Sequence, residues 1–356
     1  MDVTVAVDAN GADLGPSEVA AGAAIAAEQG VRVVLFGPAA ELGDALGGHD
    51  ELLRDEVVTV IDAPVSIAKV ADPVRAVRAA PDASIVKAAR AVAAGEADAL
   101  VAGGSTGAAL AAGLFNIKRA HGIYRPALAI PIPVPGHPVT MLDVGANAEV
   151  RPEHLVQFAF MGGALAQAVL GVERPRVGLL SIGEEATKGT PVVLEAHDTL
   201  RNRAGAAFEF VGNVEGTELT NGKADVVVTD GFTGNVALKV MEGVSQTMLA
   251  AIREVAMSSP RTKAGGLLLR PALRRFRDEI DPEGPGGAYL LGLRRLGVVP
   301  HGRFTRYGIS QAILLAARGV RAGIVERTHA ALASAGALKG APPVAASEPA
   351  STVPSP

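Results

Sequence analysis

The sequence predicts an α/β fold, a doubly wound, Rossmann-like and mostly parallel sheet, and two observations carry that expectation. Short apolar runs alternate with Ala-rich helical stretches through residue 255, the pattern of repeated strand-helix crossovers. Four glycine-rich loops, at 102–107, 143–147, 182–189 and 230–235, each follow an apolar run and precede a helix-like stretch. In an open parallel sheet the carboxyl ends of the strands share one crevice, where helix N-termini turn unsatisfied N–H groups toward a ligand. The loops therefore predict one anion-binding site.

Taken in order, the chain opens on Val3-Thr4-Val5-Ala6-Val7-Asp8, a strand without the basic, apolar and cleavage-site succession of an export signal. Further strands are expected at 31–35, 57–61, 100–102, 128–132, 139–143, 177–181 and 226–230, where apolar and β-branched residues run together. Helices are expected at 17–28, 84–94, 106–120, 153–170, 191–203 and 236–255, and Pro152 suits a first turn, where no N–H is required. Ser258-Ser259-Pro260 ends the last of these. The segment 261–281 then mixes Leu267-Leu268-Leu269 with six basic residues, Arg261, Lys263, Arg270, Arg274, Arg275 and Arg277, and reads as an amphipathic basic helical hairpin inserted at 256–283. Such an insertion suits a solvated helix pair, a dimer contact, an anionic membrane or an acidic partner protein. Gly284-Pro285-Gly286-Gly287 returns the chain to apolar runs at 289–291 and 296–299, after which His301-Gly302 stands at another strand's carboxyl end. Residues 1–339 are expected to form a single large α/β domain, and 340–356, rich in Ala, Pro and Ser with Glu348 its only charge, a disordered tail.

With 356 residues, 49% of them hydrophobic, the chain can bury a large core. It has no Cys, which excludes disulfides, thiolate metal sites and a thiol nucleophile, and fits a reducing cytoplasm. A net charge of −4 offers no basic field for nucleic acid. No uncharged apolar run reaches the roughly 18 residues that a membrane-spanning helix needs. Neither the GxxxxGK[ST] phosphate loop nor the GxGxxG dinucleotide fingerprint occurs, so no nucleotide cofactor and no metal is expected.

Gly103-Gly104-Ser105-Thr106-Gly107 satisfies the GxSxG pattern of a serine-hydrolase elbow between a strand and a helix, which makes Ser105 a candidate nucleophile. Asp230 and His301 follow in the order such a triad requires. Asp8, Asp143 and Asp230 end strands, where a carboxylate either orients a substrate group or caps the next loop. His154, in the first turn of a helix, either caps it or transfers a proton, and His301 holds a better position for a site. Glu184 and Glu185 form a solvated pair or, in an anion site, need Lys188 nearby to offset their repulsion. Asn147 either bonds substrate or holds a left-handed turn.

Several segments in register resemble the bacterial phosphate acyltransferase (PlsX) family: Asp8-Ala9-Asn10-Gly11-Ala12-Asp13, Gly104-Ser105-Thr106-Gly107, Leu142-Asp143-Val144-Gly145-Ala146-Asn147, residues 152–159 and 178–189, Val211-Gly212-Asn213-Val214-Glu215-Gly216, and residues 223–235. The resemblance covers about residues 3–325. It implies a homodimer that makes acyl phosphate from an acyl-carrier-protein thioester and inorganic phosphate for phospholipid synthesis. It also implies a cytoplasmic enzyme, free or peripherally attached to the membrane surface, whose product feeds a membrane glycerol-3-phosphate acyltransferase. That reaction needs an anion cradle and charge stabilisation but no covalent intermediate. Lys188 then suits phosphate as a point charge, and Asn235 suits the thioester oxygen as an amide donor; these are the candidate catalytic residues. Substrate or phosphate binding is assigned to Asp8, Gly104, Ser105, Thr106, Gly107, Asp143, Asn147, His154, Glu184, Asp230, Gly234 and His301. The chain departs from the family pattern at Asn10 and Ala12, which replace Met and Gly, at Ser105 for Asn, at Ala80-Pro81 for basic residues, and at Arg303 for a small polar one. A serine hydrolase using Ser105 and a non-catalytic membrane-surface scaffold are the alternatives.

Overall fold

Burial explains why the apolar runs become strands: a parallel strand is covered on both faces, and the runs at Val5–Val7, Ala99–Ala102 and Val226–Val228 are buried throughout. The computed structural model describes residues 2–340. In chain order its elements are β1 (Thr4–Asp8), α1 (Pro16–Ala27), β2 (Arg32–Gly37), α2 (Ala39–Ala45), α3 (Asp50–Arg54), β3 (Val58–Asp62), α4 (Pro73–Ala79), α5 (Ser84–Ala94) and β4 (Ala99–Ala102). Then come α6 (Thr106–Ala112), β5 (Ala127–Ile132), β6 (Val139–Leu142), α7 (Pro152–Leu165), β7 (Arg176–Leu180), α8 (Pro191–Arg203), β8 (Glu209–Val214) and β9 (Val226–Val228). The chain continues through α9 (Gly231–Met257), α10 (Pro260–Glu279), β10 (Ala288–Leu291), β11 (Leu296–Val299), α11 (Arg306–Arg321) and α12 (Ile324–Ser334). Both α6 and α7 run on for five residues as π-helix, to Ile117 and Leu170.

All eleven strands join one sheet in the order β3-β2-β1-β4-β11-β10-β5-β6-β9-β7-β8. Helices α1, α7, α8 and α11 cover one face, and α5 and α6 the other. Most neighbours are parallel, but β10 is antiparallel to both β11 and β5, and β5 is antiparallel to β6. Following these pairings, β1, β4 and β11 run one way while β6, β9 and β7 run the other. The expectation that four glycine loops share one crevice is corrected here. The 102–107 loop leaves the first half of the sheet, and the other three leave the second half at the opposite polarity. The tight β5–β6 hairpin reverses the chain, a feature that strand composition does not reveal.

The basic insertion is corrected too. Residues 260–279 form one helix, not a hairpin of their own, and α9 supplies the other arm, with Gly266 packed near Ala256. Ser259 caps α10 by accepting a hydrogen bond from the Thr262 N–H (3.2 Å). The 340–356 tail reading lies, from residue 341 on, outside the described residues. Among those residues no single helix is long and apolar enough to cross a membrane.

Candidate active site

Strands β6, β9 and β7 are adjacent and parallel, so the loops 143–147, 230–235 and 181–189 leave the sheet side by side. Asp143, fully buried, organises the first of them. Its Oδ1 accepts the N–H groups of Leu128 (3.1 Å), Gly145 (3.2 Å) and Ala146 (2.9 Å), and its Oδ2 accepts the backbone and side-chain N–H of Asn147 (2.8 Å each). Burial pushes this carboxyl above its ordinary range, and the N–H bonds from Ala146, Asn147 and Leu128 oppose that. With both oxygens spent on the loop, Asp143 holds the backbone rather than a substrate. Asn147 likewise spends its amide on Asp143 and on the Pro126 carbonyl (2.8 Å).

The shaped loop lies directly on the N-terminus of α9. A Cβ on Gly234 would overlap the Asp143 carbonyl oxygen, and one on Gly231 would come within 2.7 Å of the Asn147 N, so only glycine lets the two segments meet. Asp230 caps the helix by accepting from the Thr233 N–H and hydroxyl (2.7 Å each). Asn235, one turn in, stands beside Gly145, 3.9 Å from where a Cβ there would lie. Within the first turn of α9 the N–H groups of Gly231, Thr233 and Gly234 are already spent, on the Asn147 carbonyl (2.7 Å), the Asp230 carboxylate (2.7 Å) and the Asp230 carbonyl (2.9 Å).

The neighbouring loop presents Lys188, exposed and without an ion pair among the described residues. Glu184 is offset not by Lys188, as the sequence suggested, but by Lys223, whose ammonium lies 3.1 Å from Glu184 and 2.7 Å from Glu218. That bond to Lys223, with a further one from the Glu215 N–H, holds the Glu218 carboxyl below its ordinary range. Asn213, nearly fully buried, donates to the carbonyls of Glu185 (2.8 Å) and Lys188 (3.2 Å), and the Ser181 hydroxyl also donates to the Lys188 carbonyl (3.0 Å). Sequence reasoning passed over Ser181, Asn213, Glu218 and Lys223 as site residues, although the Val211–Gly216 motif had drawn attention to Asn213.

The remaining candidates gather elsewhere. Asp8, at the end of β1, is buried and accepts from the Ser84 hydroxyl (2.6 Å) and the Asn10 N–H (3.2 Å); burial pushes its carboxyl up to about 6 against those two bonds. Gly104 (φ 100°) packs onto Gly11 so closely that a Cβ would overlap the Gly11 carbonyl oxygen. Ala12 carries no positive φ, so the replacement of glycine there costs no backbone strain. Ser105 caps α6, accepting from the Ala108 N–H (3.2 Å), with Thr106 and Gly107 in the first turn behind it. His301 accepts from the Arg303 N–H (3.2 Å) and stacks on Phe304. The Ser105–Asp230–His301 triad is not assembled: Asp230 stands on the other half of the sheet, and among the described residues no hydrogen bond joins the three. His154 spends its Nδ1 on the Arg151 N–H (3.2 Å), wedged between Tyr124 and Phe158. Burial lowers its pKa, and through Nδ1 it caps the start of α7.

The model of a family described as fatty acid synthesis protein matches residues 3–327. A phosphate acyltransferase of Nitratidesulfovibrio vulgaris is 41% identical over 333 residues, covering 92% of this chain and 94% of the relative. That of Moorella thermoacetica is 41% identical over 327 residues (90% and 93%), and that of Nostoc punctiforme 40% over 328 (91% and 95%). In fold the chain is similar to the EutD phosphotransacetylase from Staphylococcus aureus, with a TM-score of 0.58 at 15% identity over 90% of this chain and 94% of that one. A phosphotransacetylase from Streptococcus pyogenes gives the same TM-score at 17% identity, over 90% of this chain and 94% of that one. With near-complete coverage at about 40% identity, this chain belongs to the phosphate acyltransferase family of fatty acid synthesis proteins.

Proposed function

We propose that the chain transfers a fatty acyl group from an acyl-carrier-protein thioester to inorganic phosphate, forming acyl phosphate and the free carrier thiol for phospholipid synthesis. The observation that carries this reading is the grouping of three loops after adjacent parallel strands, one of them carrying Lys188 and another leading into α9 with Asn235 beside Gly145. A phosphate oxygen attacks the thioester carbonyl carbon, the carbonyl oxygen becomes an oxyanion, and collapse expels the carrier thiolate, which takes up a proton. Lys188 binds and orients the phosphate as a point charge, while the Asn235 amide stabilises the oxyanion. Phosphate is itself the nucleophile, which suits a chain without cysteine.

The partners in this reading are acyl carrier protein, a second copy of the chain and a membrane surface. Helix α9 leaves an exposed i, i+4 ridge of Phe232, Val236, Val240, Val244, Met248 and Ile252, which supports a homodimer contact. Helix α10 exposes Leu267, Leu268 and Leu269 (66%, 83% and 59%) among its basic residues, which supports peripheral attachment to anionic lipid from the cytoplasm and delivery of product to a membrane glycerol-3-phosphate acyltransferase. The test is to incubate the protein with a long-chain acyl-carrier-protein thioester, with and without inorganic phosphate, and to follow acyl phosphate by phosphorus NMR or hydroxylamine trapping. Product that requires phosphate is expected. Fatty acid released without phosphate would overturn the reading.

A further inference from the structure

Residues 184–188 are exposed, and a solvated loop of this kind holds a side chain in place only if other groups fix its backbone. Three groups bear on it: Asn213 and the Ser181 hydroxyl on its carbonyls, and Lys223 through the Glu184 side chain. Asn213 on β8 is 1% exposed, and both hydrogens of its Nδ2 go to this loop, to the carbonyls of Glu185 and Lys188. Among the described residues its Oδ1 has no partner, so the loop sets the orientation of the amide. The same two carbonyls bracket the turn closed by the Lys188 N–H donating to the Glu185 carbonyl (2.9 Å). The Lys223 ammonium ties Glu184 to Glu218, which the Glu215 N–H holds in turn (2.9 Å). Lys188 is thereby flanked by a buried amide on its own carbonyl and a salt-linked residue four positions before it.

We propose that Asn213 and Lys223 are positioning residues that latch the 184–188 loop, so that the Lys188 ammonium is held over the phosphate site rather than sweeping through solvent. The inference rests on Lys188 acting in phosphate binding. Asn213→Asp keeps the size of the side chain but turns two donors into acceptors facing two carbonyls. It is expected to lower kcat/KM roughly 10–100-fold, mainly through a higher KM for phosphate, because a misplacement of about 1 Å suffices for such a loss. Lys223→Met is expected to act in the same direction and Lys223→Arg to restore most of the activity.

Two readouts separate a latch from a general packing role. In a Lys188→Met background, assayed at high enzyme concentration, Asn213→Asp should cost little more, since the residue it positions is gone. Native-state cleavage after Lys188 by a lysine-specific protease should accelerate in Asn213→Asp and Lys223→Met, and in Lys223→Met, which buries no new charge, the Tm should change little. A full additional loss in the Lys188→Met background, or an unchanged cleavage rate in both variants, would overturn the proposal. If Lys188→Met itself leaves the phosphate KM and kcat intact, it is the assigned role of Lys188 that fails; the cleavage rates then still decide whether the latch exists.

Discussion

At the scale of single residues, the site separates groups that shape backbone from groups left free to act. Asp143, Asn147, Asp230, His154 and Ser105 all spend their polar atoms on loops or helix ends, whereas Lys188 has no ion partner and Asn235 has no recorded side-chain bond among the described residues. Lys188→Ala and Asn235→Ala are each expected to lower kcat by about 10²–10³-fold, the loss typical of one transition-state donor, in the acyl phosphate assay. Equal activity of both variants and the parent would remove these residues from the chemistry. Asp8 makes a prediction about pH. Its carboxyl titrates near 6 when folded against an ordinary 3.8, so the folded state holds the proton more tightly and stability falls as pH rises from about 4 to 6. The ionised form costs the folded state roughly 3 kcal/mol, and Asp8→Asn, which keeps an acceptor for Ser84, removes that cost. The Tm of Asp8→Asn relative to the parent should therefore climb between pH 4 and pH 7; a constant difference would show that the carboxylate is not strained by burial.

Among the elements, α9 and α10 are the ones whose sequence exceeds what their own fold requires. The ridge from Phe232 to Ile252 follows the i, i+4 rows that interlock between helices, and it faces solvent within one copy of the chain. Val244→Glu should convert the proposed dimer to a monomer in analytical ultracentrifugation, with the far-ultraviolet circular dichroism unchanged. A parent protein that sediments as a monomer would refute the contact. For α10, Leu268→Ser is expected to weaken co-sedimentation with anionic vesicles several-fold, and rising salt to weaken it in the parent, because apolar insertion and charge attraction act together. Absence of binding by the parent at low salt would rule out lipid as the partner of this helix. The sequence marked both the break at Ser258-Ser259-Pro260 and the basic, leucine-bearing composition beyond it. It did not show that α9 is the other arm, since pairing of two helices depends on contacts 10 residues apart across the turn, such as Gly266 with Ala256.

Across the whole molecule, the reversal of strand direction between β11 and β6 decides which candidate residues can cooperate. Asp8, Gly104, Ser105 and His301 belong to one half of the sheet, and Asp143, Glu184, Lys188, Asp230 and Asn235 to the other. Ser105→Ala is accordingly expected to retain most of the turnover that Lys188→Ala loses, with its effect confined to the roughly 1 kcal/mol of a lost helix cap, read as a small drop in Tm. Loss of turnover equal to that of Lys188→Ala would return Ser105 to the reaction. The sequence by itself determined the α/β class, most strand positions, the helix start at Pro152, the break at Ser258-Ser259-Pro260 and the family, because apolar periodicity, proline and glycine signals act over a few residues. Tertiary structure alone decided that the β5–β6 hairpin turns the sheet around, that Glu184 pairs with Lys223, and that Asn213 holds the Lys188 loop. Each of these joins residues brought together by strand order, which no local pattern of side chains encodes.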